Sequence, residues 1–399
     1  MNGQLATLIL DRADGGRPVC LYWYDLGQLT EHVRRVTGAL PDRCRMFYAM
    51  KANSADQLLR ALAPLVTGFE VASGGELAKA RAVDQRIPVI FGGPAKTEED
   101  IAAALAQRVI RFHAESVLEL HRISAVASRT GQVADILLRV NLAGPFPGAT
   151  LIMAGRPTQF GIDETSLPEA VDTARRLTNL RLAGFHLHSL SNNLSAAAHL
   201  DLLDLYRRKV IGWEREFGLT CEVVNFGGGI GVNYADLTEQ FDWQRFTQEL
   251  GPLVEHSFPA HWREIDFECG RFLVAACGYY AVEVLDVKRS HGKNYLVVRG
   301  GTHHFRLPAS WQHSHPFTVV AVDRWSLSCP RPEVHDEPVT VVGELCTPKD
   351  VLARDVVVPR VRAGDLLVFQ HAGAYGWDIS HHDFLSHPHP DQVFQTTTR

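Results

Sequence analysis

Two short segments carry residues that suit the binding of a phosphorylated carbonyl compound. Lys51, in the run FYAMKAN, directly follows an apolar segment, and a partly desolvated lysine has a lowered pKa and can attack a carbonyl as an amine. The run NFGGGIG at residues 225–231 offers glycines whose backbone N–H groups can approach an anion such as phosphate. Each segment alone also fits a plainer role, a solubilising charge or a tight turn. The glycine run lacks the spacing of P-loops and dinucleotide-binding loops.

Two further segments add acidic, basic and imidazole groups. They contain His186, His188, Ser189 and Ser191 in HLHSLSNN, and Glu268 and Arg271 in ECGR. A carboxylate that faces a heteroaromatic nitrogen keeps that nitrogen protonated, and an imidazole can stack on the same ring. Each histidine alone is more often a packed core residue than a catalytic one, so the prediction depends on the whole set.

Polar residues recur toward the C-terminus. GELCTPKD contains Cys346 and Asp350, and AGAYGWD contains Tyr375. On residue type alone, a buried thiol and a half-buried aromatic ring are the expected roles. The histidine-rich tail invites a metal assignment, but its spacing is irregular and interrupted by prolines, so we predict no metal site. The tail residues are His381, His382, Asp383, His387 and His389.

The elements that must position these groups alternate along the chain from about residue 22 to residue 270. The runs predicted as strands are RMFYAM, FEVAS, PVIFGG, DILLRVN, LAGFHLHS, CEVVNFGGG and EIDFECG, with helix-like stretches between them. This alternation predicts a parallel sheet, and about eight repeats predict a closed (β/α)8 TIM barrel at residues 26–270. Polar residues at the C-terminal ends of the strands would then meet at one mouth, where barrel active sites lie.

A different texture begins after residue 270. Runs such as KNYLVVRGG and PVTVVGELC are separated by glycine, proline and polar turns, and they predict a mainly antiparallel β domain over residues 271–399. Residues 1–25, with strand-like ATLILD and VCLYWYD, lack a barrel repeat. We therefore expect them to complete the β domain.

Composition limits the classes of partner. The 399 residues are 46% hydrophobic and 21% charged, as in a globular protein, and their formal net charge of −5 provides no basic field for nucleic acid or an anionic membrane. No apolar run approaches the length of a membrane span and no signal peptide is recognisable. Seven cysteines without a CxxC pair favour a reduced compartment. We expect a cytoplasmic protein.

Taken in order, eight motifs resemble the fold-type III PLP-dependent decarboxylases, the family of diaminopimelate and ornithine decarboxylases. The motifs are YAMKAN, FEVASGGEL, QFGI, HLHSLS, GGGIG, ECGR, GELCTPKD and GAYG, and they run from about residue 45 to residue 390. The resemblance implies a barrel that binds pyridoxal 5'-phosphate (PLP) and a β domain that completes the active site. It also implies a small amino-acid-like substrate and a head-to-tail homodimer with active sites at the subunit interface.

The resemblance also assigns roles to single residues. Lys51 would hold the cofactor as a Schiff base, His188 would stack on its pyridine ring, and Glu268 would pair with the pyridine nitrogen. Glu70 and Arg139 would lie near the cofactor. The phosphate would be bound by Ser191, Gly227, Gly228, Gly229, Arg271 and Tyr375.

The departures from the family pattern concern the substrate. Cys346 would reach in from the partner subunit as the candidate proton donor, and diamine- and diaminopimelate-specific relatives follow it with an acidic residue that binds the distal amino group. Here that position is Thr347. Arg306 in FRLPASW matches a carboxylate-binding arginine of diaminopimelate-type relatives, and Lys349, next to Asp350, adds a cation. This substrate-binding set predicts a substrate whose far end carries carboxylate.

The ending GAYGWDISHHDFLSHPHP resembles that of siderophore-pathway decarboxylases, such as those acting on citryl-diaminopropionate. A citrate-conjugated amino acid is therefore the leading substrate. Three alternatives stay open: a diaminopimelate or ornithine-type decarboxylase, a PLP racemase on the same barrel, and a non-catalytic decarboxylase-like regulator. Thr347 argues against the first, and the retained Lys51, Glu268 and Cys346 argue against the last.

Overall fold

The computed structural model describes residues 3–144, 151–152 and 157–396. The chain divides into two compact units. The barrel unit comprises Thr30–Val232 and Glu239–Leu273, and the β unit comprises Met1–Leu29, Asn233–Thr238 and Val274–Arg399. The segment Asn233–Thr238, which the sequence analysis kept within residues 26–270, groups with the β unit.

The barrel unit is a closed ring of eight parallel strands in chain order, and the last strand pairs with the first. The predicted (β/α)8 TIM barrel is confirmed. The strands are Cys44–Ala49, Gly68–Val71, Val89–Phe91, Arg111–Ala114, Ala134–Asn141, Leu180–Leu187, Val223–Asn225 and Glu264–Cys269. The short strand Ile162–Asp163 also pairs with Ala134–Asn141, and Leu151–Ile152 pairs with Leu190–Ser191.

Helices follow the strands. From residue 26 to residue 274 they are Leu26–Gly38, Asp56–Leu62, Gly74–Val83, Glu98–Ala106, Val117–Arg129, Leu167–Arg176, Ala196–Phe217, Trp243–Pro252 and Arg271–Val274. Shorter helical turns are Met50–Ala52, Glu164–Ser166 and Leu253–Ser257. Several helices begin at an N-cap whose hydroxyl accepts a backbone N–H, as Ser73 does from Glu76 and Ser116 does from Glu119. Such caps satisfy donors that the first helical turn leaves free.

Charged side chains fill the end of the barrel where the strands begin, which is called the closed end below. Arg45 and Arg111 each contact Glu264 and Asp266, at distances between 2.5 and 2.8 Å. Asp266 is fully buried, and burial raises its pKa although both arginines oppose the shift. Arg111 and Asp266 belong to strands that lie four places apart in the ring of eight, so these ion pairs join opposite walls.

The β unit contains an eight-stranded sheet. Six strands follow the order Phe317–Val320, Leu366–Phe369, Gly278–Ser290, Lys293–Val298, Glu333–Val342 and Val351–Arg362. Cys20–Asp25 pairs with both Gly278–Ser290 and Asp391–Gln395. Most pairings are antiparallel, as predicted, but Lys293–Val298 with Glu333–Val342 and Cys20–Asp25 with Asp391–Gln395 are parallel.

The N-terminal segment of the β unit is a helix, Gly3–Asp14, so the prediction of a strand at ATLILD is wrong. Leu5 and Ile9 lie four residues apart, which places both on one helical face. Both are fully buried and pack in a cluster with Leu21 and Trp23. The other helix and turns of this unit are Leu307–Trp311, Ala275–Cys277, Trp377–Ile379 and Phe384–Ser386. Among the described residues, no helix is long and apolar enough to cross a membrane.

Candidate active site

The C-terminal ends of the barrel strands bring the predicted polar residues together. Lys51 lies in the turn Met50–Ala52, directly after the strand Cys44–Ala49, and its side chain is exposed. Burial raises the pKa of Glu70 and lowers the pKa of His186 and His188, and the positive charge of Lys51 opposes the rise at Glu70 and adds to the fall at both histidines. An amine, a buried acid and two imidazoles therefore share one electrostatic environment at the barrel mouth.

Glu268 is the acceptor at the centre of this group. Asn225 donates from Nδ2 to Glu268 Oε1 at 2.7 Å. His113 Nδ1 lies 3.5 Å from Oε1, and His186 Nε2 lies 3.3 Å from Oε2. The side chain of Glu268 is only 8% exposed, so its charge is held by these neighbours and not by bulk water.

His113 and His186 are buried and stack on each other, with 4.1 Å between ring centroids. Among the described residues, neither ring has a hydrogen-bond partner for its nitrogens. Burial lowers the pKa of both histidines well below the usual value, and further positive charge nearby, including that of Lys96, adds to the effect. Both imidazoles are neutral at pH 7, and each can donate one N–H.

Glu70 is the acidic residue with the most unusual environment. It is buried, and its Oε2 has no hydrogen-bond partner among the described residues. Burial raises the pKa of Glu70 to about 7, against the opposing charge of Lys51, and Glu268 adds to the rise. Unlike an ordinary carboxylate, Glu70 is therefore partly protonated near neutral pH.

The glycine loop, the run NFGGGIG at residues 225–231, packs against His188 and Glu268. Gly227 has φ of +63°, and a Cβ there would lie 2.5 Å from His188 Nδ1. A Cβ on Gly228 would lie 2.2 Å from the Glu268 carbonyl oxygen. Gly227 N–H donates to Asn225 Oδ1, and Gly228 N–H donates to His188 Nδ1 at 3.0 Å. Both amides thus have partners inside the barrel, and the role of this loop in phosphate binding stays a prediction.

Arg139 lies at the same barrel mouth, where two contacts hold its side chain. Its Nη1 donates to Glu115 Oε1 at 2.7 Å, and its guanidinium lies 5.0 Å from the Phe160 ring. Glu115 Oε2 accepts from the Gly161 N–H. Ser191 is partly buried, and Arg271 is buried at the start of its helix.

His113 and Glu115 were missed by the sequence analysis, because the strand Arg111–Ala114 was not among the predicted runs. The segment RFHAES contains too few consecutive apolar residues to signal a buried strand. A usable signal was its position, since it separates two helix-like stretches at the place where the barrel repeat requires a strand.

The β unit contains the other predicted residues. Cys346 is exposed, and Tyr375 is partly buried near Trp311. Arg306, Thr347 and Lys349 line one cavity of about 740 Å³. Asp350 is different, because its two oxygens accept the Thr302 and Leu345 N–H groups. These bonds indicate that Asp350 holds the loop, and its contact with substrate stays a prediction.

Metal-ligating side chains also meet at the barrel mouth. Among the described residues, His113, His186 and Glu268 form the group whose ligating atoms all lie within 4.8 Å of one another. The two stacked imidazoles face different oxygens of Glu268, an arrangement that suits two donors around one acceptor. The absence of a metal stays a prediction.

An amine, a buried carboxylate–imidazole cluster and a glycine loop at a barrel mouth define the PLP-binding class of this fold. The chain matches the family model for the pyridoxal-dependent decarboxylase, pyridoxal binding domain, over residues 26–275. The chain therefore belongs to the PLP-dependent decarboxylases, which are carboxy-lyases, and the resemblance identified from the motifs is confirmed.

Two curated relatives differ in their sequence identity to this chain. The chain is 48% identical over 382 residues to 2-[(L-alanin-3-ylcarbamoyl)methyl]-2-hydroxybutanedioate decarboxylase of Staphylococcus aureus, covering 96% of this chain and 95% of that protein. It is 30% identical over 361 residues to diaminopimelate decarboxylase of Neisseria meningitidis serogroup A, covering 89% and 84%.

Solved structures share the fold. Diaminopimelate decarboxylase of Helicobacter pylori, complexed with L-lysine, gives a TM-score of 0.83 at 24% identity, covering 96% of this chain and 93% of that one. Lysine/ornithine decarboxylase of Vibrio vulnificus, complexed with putrescine, gives 0.80 at 20% identity, covering 99% of each chain. At these identities the likeness concerns the fold alone.

Proposed function

We propose that this enzyme uses PLP to decarboxylate an amino acid conjugated to a citrate-like acid, as a step in siderophore biosynthesis. The single observation that carries the substrate class is the cavity of the β unit, where Arg306 and Lys349 lie with no acidic residue in the described lining. Such a cavity suits a ligand with several carboxylates.

The barrel mouth fits the cofactor. Within the described part of the chain, the imidazole nitrogens of His113 and His186 and one oxygen of Glu70 are buried without hydrogen-bond partners, and the glycine loop leaves no room for side chains. Lys51 would bind the aldehyde, Glu268 would accept from the ring nitrogen, and His188 would lie against the ring. The glycines Gly227, Gly228 and Gly229 would bind the phosphate with Ser191, Arg271 and Tyr375.

When bound, the cofactor withdraws electrons from the substrate carbon that loses CO2. The protein's own groups would orient the cofactor and supply a proton to the substrate carbon. Glu268 accepts from Asn225 Nδ2 and faces the nitrogens of His113 and His186, and it would also accept from a protonated ring nitrogen of the cofactor. Cys346 is the proposed proton donor to the substrate carbon, and its exposed thiol is compatible with a contribution to a partner subunit's site.

The substrate class is supported by the name of the Staphylococcus aureus relative. That name describes a hydroxybutanedioate joined through an amide to carbon 3 of alanine, which is citryl-diaminopropionate. One end is an α-amino acid, and the other carries two carboxylates and a hydroxyl. Arg306 and Lys349 would bind the acidic end of the substrate. At position 347, the uncharged Thr347 would avoid the repulsion that an acidic residue, as in the diamine-specific relatives, would cause.

The test is a substrate panel on the purified enzyme loaded with PLP. CO2 release from citryl-diaminopropionate should exceed that from diaminopimelate and ornithine at least tenfold in kcat/KM, about 1.4 kcal/mol. The Lys51→Ala variant should release no CO2 and should lack the visible absorption of lysine-bound cofactor. Faster turnover of diaminopimelate or ornithine would overturn the substrate, and solvent deuterium uptake without CO2 loss would indicate a racemase.

A homodimer with shared active sites and a cytoplasmic location belong to the same proposal. The homodimer has a direct test in mixed dimers. Lys51→Ala protein and Cys346→Ala protein, each of low activity, should regain about a quarter of wild-type activity when their subunits exchange. No recovery despite proven exchange would argue against a site shared between subunits.

A further inference from the structure

The cavity of the β unit contains a third cation that the sequence did not single out. Besides Arg306 and Lys349, its wall includes Arg354, from the strand Val351–Arg362. Thr347, His313 and His381 also line it, and no aspartate or glutamate is among the described lining residues. The three cations therefore face a common space of about 740 Å³, within the usual size range of ligand sites.

These cations lack the acidic partners that most other cations of the same unit have. In the described residues, Arg306, Lys349 and Arg354 make no ion pair. Six other arginines of the β unit do so with a nearby aspartate or glutamate, whereas Arg17 and Arg324 do not in the described residues: the six are Arg12, Arg289, Arg299, Arg331, Arg360 and Arg362. Like charges that share one cavity repel each other, and an anionic ligand relieves that repulsion.

The walls of the cavity are held by specific contacts. The backbone of Arg354 is fixed by Ser314, whose Oγ accepts the Arg354 N–H at 2.9 Å and donates to the Arg354 carbonyl at 3.1 Å. His313 stacks on Tyr234 with 4.9 Å between ring centroids, and its Nε2 lies 3.0 Å from His315 Nδ1. Arg306 donates from Nε to Ser310 Oγ at 3.3 Å. These contacts hold the backbone of Arg354 and the ring of His313 in place at the cavity wall, next to the exposed side chains of the three cations.

We infer that Arg354 is a specificity-determining residue, which binds a second carboxylate of the substrate's acidic end in the same cavity as Arg306 and Lys349. This inference rests on the proposed function for the identity of the ligand. One guanidinium can hold one carboxylate through two N–H groups. Two arginines and a lysine thus match a dicarboxylate and exceed what a single distal carboxylate requires.

The test uses citrate as the probe and the PLP-loaded enzyme as the protein. Citrate binding is measured by isothermal titration, and KM and kcat are measured with citryl-diaminopropionate. Arg354→Gln should weaken citrate binding and raise KM about tenfold each, with kcat nearly unchanged, because a charge-assisted hydrogen bond is lost. The matched control is Arg86→Gln, an exposed arginine of the barrel unit, which should leave both quantities unchanged.

The outcomes separate this inference from the proposed function. If Arg354→Gln binds citrate as tightly as the wild type and keeps its KM, the inference is wrong even though the conjugate is decarboxylated. If citrate binding depends on Arg354 but the conjugate is not decarboxylated, the inference stands and the proposed substrate is wrong. Equal losses in Arg354→Gln and Arg86→Gln would also overturn the inference, since they would indicate only nonspecific charge.

Discussion

His113 and His186 stack face to face, and each turns one nitrogen toward a different oxygen of Glu268. We expect His113 to act as a positioning residue through Glu268. His113→Phe keeps a ring against His186 but removes the nitrogen that lies 3.5 Å from Glu268 Oε1, so PLP should bind more weakly because Glu268 loses a polar group that faces it. His113→Asn, which keeps an N–H, should recover part of the affinity. Cofactor titration followed by absorption measures both, and unchanged affinity in His113→Phe would contradict the role.

The glycine loop offers a matched pair of substitutions. Gly228→Ala places a Cβ 2.2 Å from a backbone carbonyl, so the cofactor-free protein should lose about 1–3 kcal/mol in its free energy of unfolding. Gly212→Ala lies inside the helix Ala196–Phe217 with open space around the added Cβ. It should instead gain roughly 0.5–1 kcal/mol. Urea unfolding measures both, and a gain in Gly228→Ala would show that the loop tolerates a side chain.

Glu70 makes the stability of the cofactor-free enzyme depend on pH. Its pKa in the folded protein is about 7, above the ordinary 4.5. Between these values the unfolded chain loses the proton while the folded protein keeps it. The free energy of unfolding therefore falls as pH rises from 4.5 to 7, by up to about 3 kcal/mol from this group.

Glu70→Gln should remove this fall, which urea unfolding at pH 5 and pH 8 measures. Relative to the wild type, the variant should gain more at pH 8 than at pH 5. In Lys51→Ala, a charge that lowers the pKa of Glu70 is absent, so the fall should extend to higher pH. A difference between Glu70→Gln and wild type that is equal at both pH values would contradict this account.

Thr347 provides a test of substrate charge. Thr347→Glu introduces a carboxylate into a cavity proposed to bind carboxylates, so KM for citryl-diaminopropionate should rise about tenfold, roughly 1.4 kcal/mol, through like-charge repulsion. Thr347→Gln has a similar size without the charge and should change KM much less. CO2 release over a range of substrate concentrations separates them. Equal KM values for the two variants would indicate that size and not charge matters at this position.

The motifs were sufficient to predict the family. Most barrel strands could also be predicted, because parallel strands buried on both faces form continuous apolar runs. The strand Arg111–Ala114 was hidden, since Arg111 and His113 point polar groups into a barrel interior that contains ion pairs. The N-terminal helix was missed because ATLILD is apolar enough to resemble a strand, and only the packing of Leu5 and Ile9 distinguishes the two.

Contacts between residues far apart in the sequence could not be predicted. Nothing local in the sequence indicates that Asn225 donates to Glu268, or that Gly227 and Gly228 use their amides inside the barrel. Likewise, Arg354 lies outside every motif and lines the same cavity as Arg306 only because the β unit folds as it does. The position of Asp350 in GELCTPKD also does not indicate that its oxygens accept the backbone N–H groups of Thr302 and Leu345.

Arg111 and His113 lie two residues apart on one short strand, so both side chains face the barrel interior. Arg111 is tied to Asp266 and Glu264 at the closed end, and His113 faces Glu268 at the mouth. A slip of the strand by one residue would turn Phe112 inward and separate both pairs at once. The ion pairs at the closed end therefore fix the register of this strand, so they set the position of an imidazole at the mouth, in the proposed cofactor site, although they lie at the other end of the barrel.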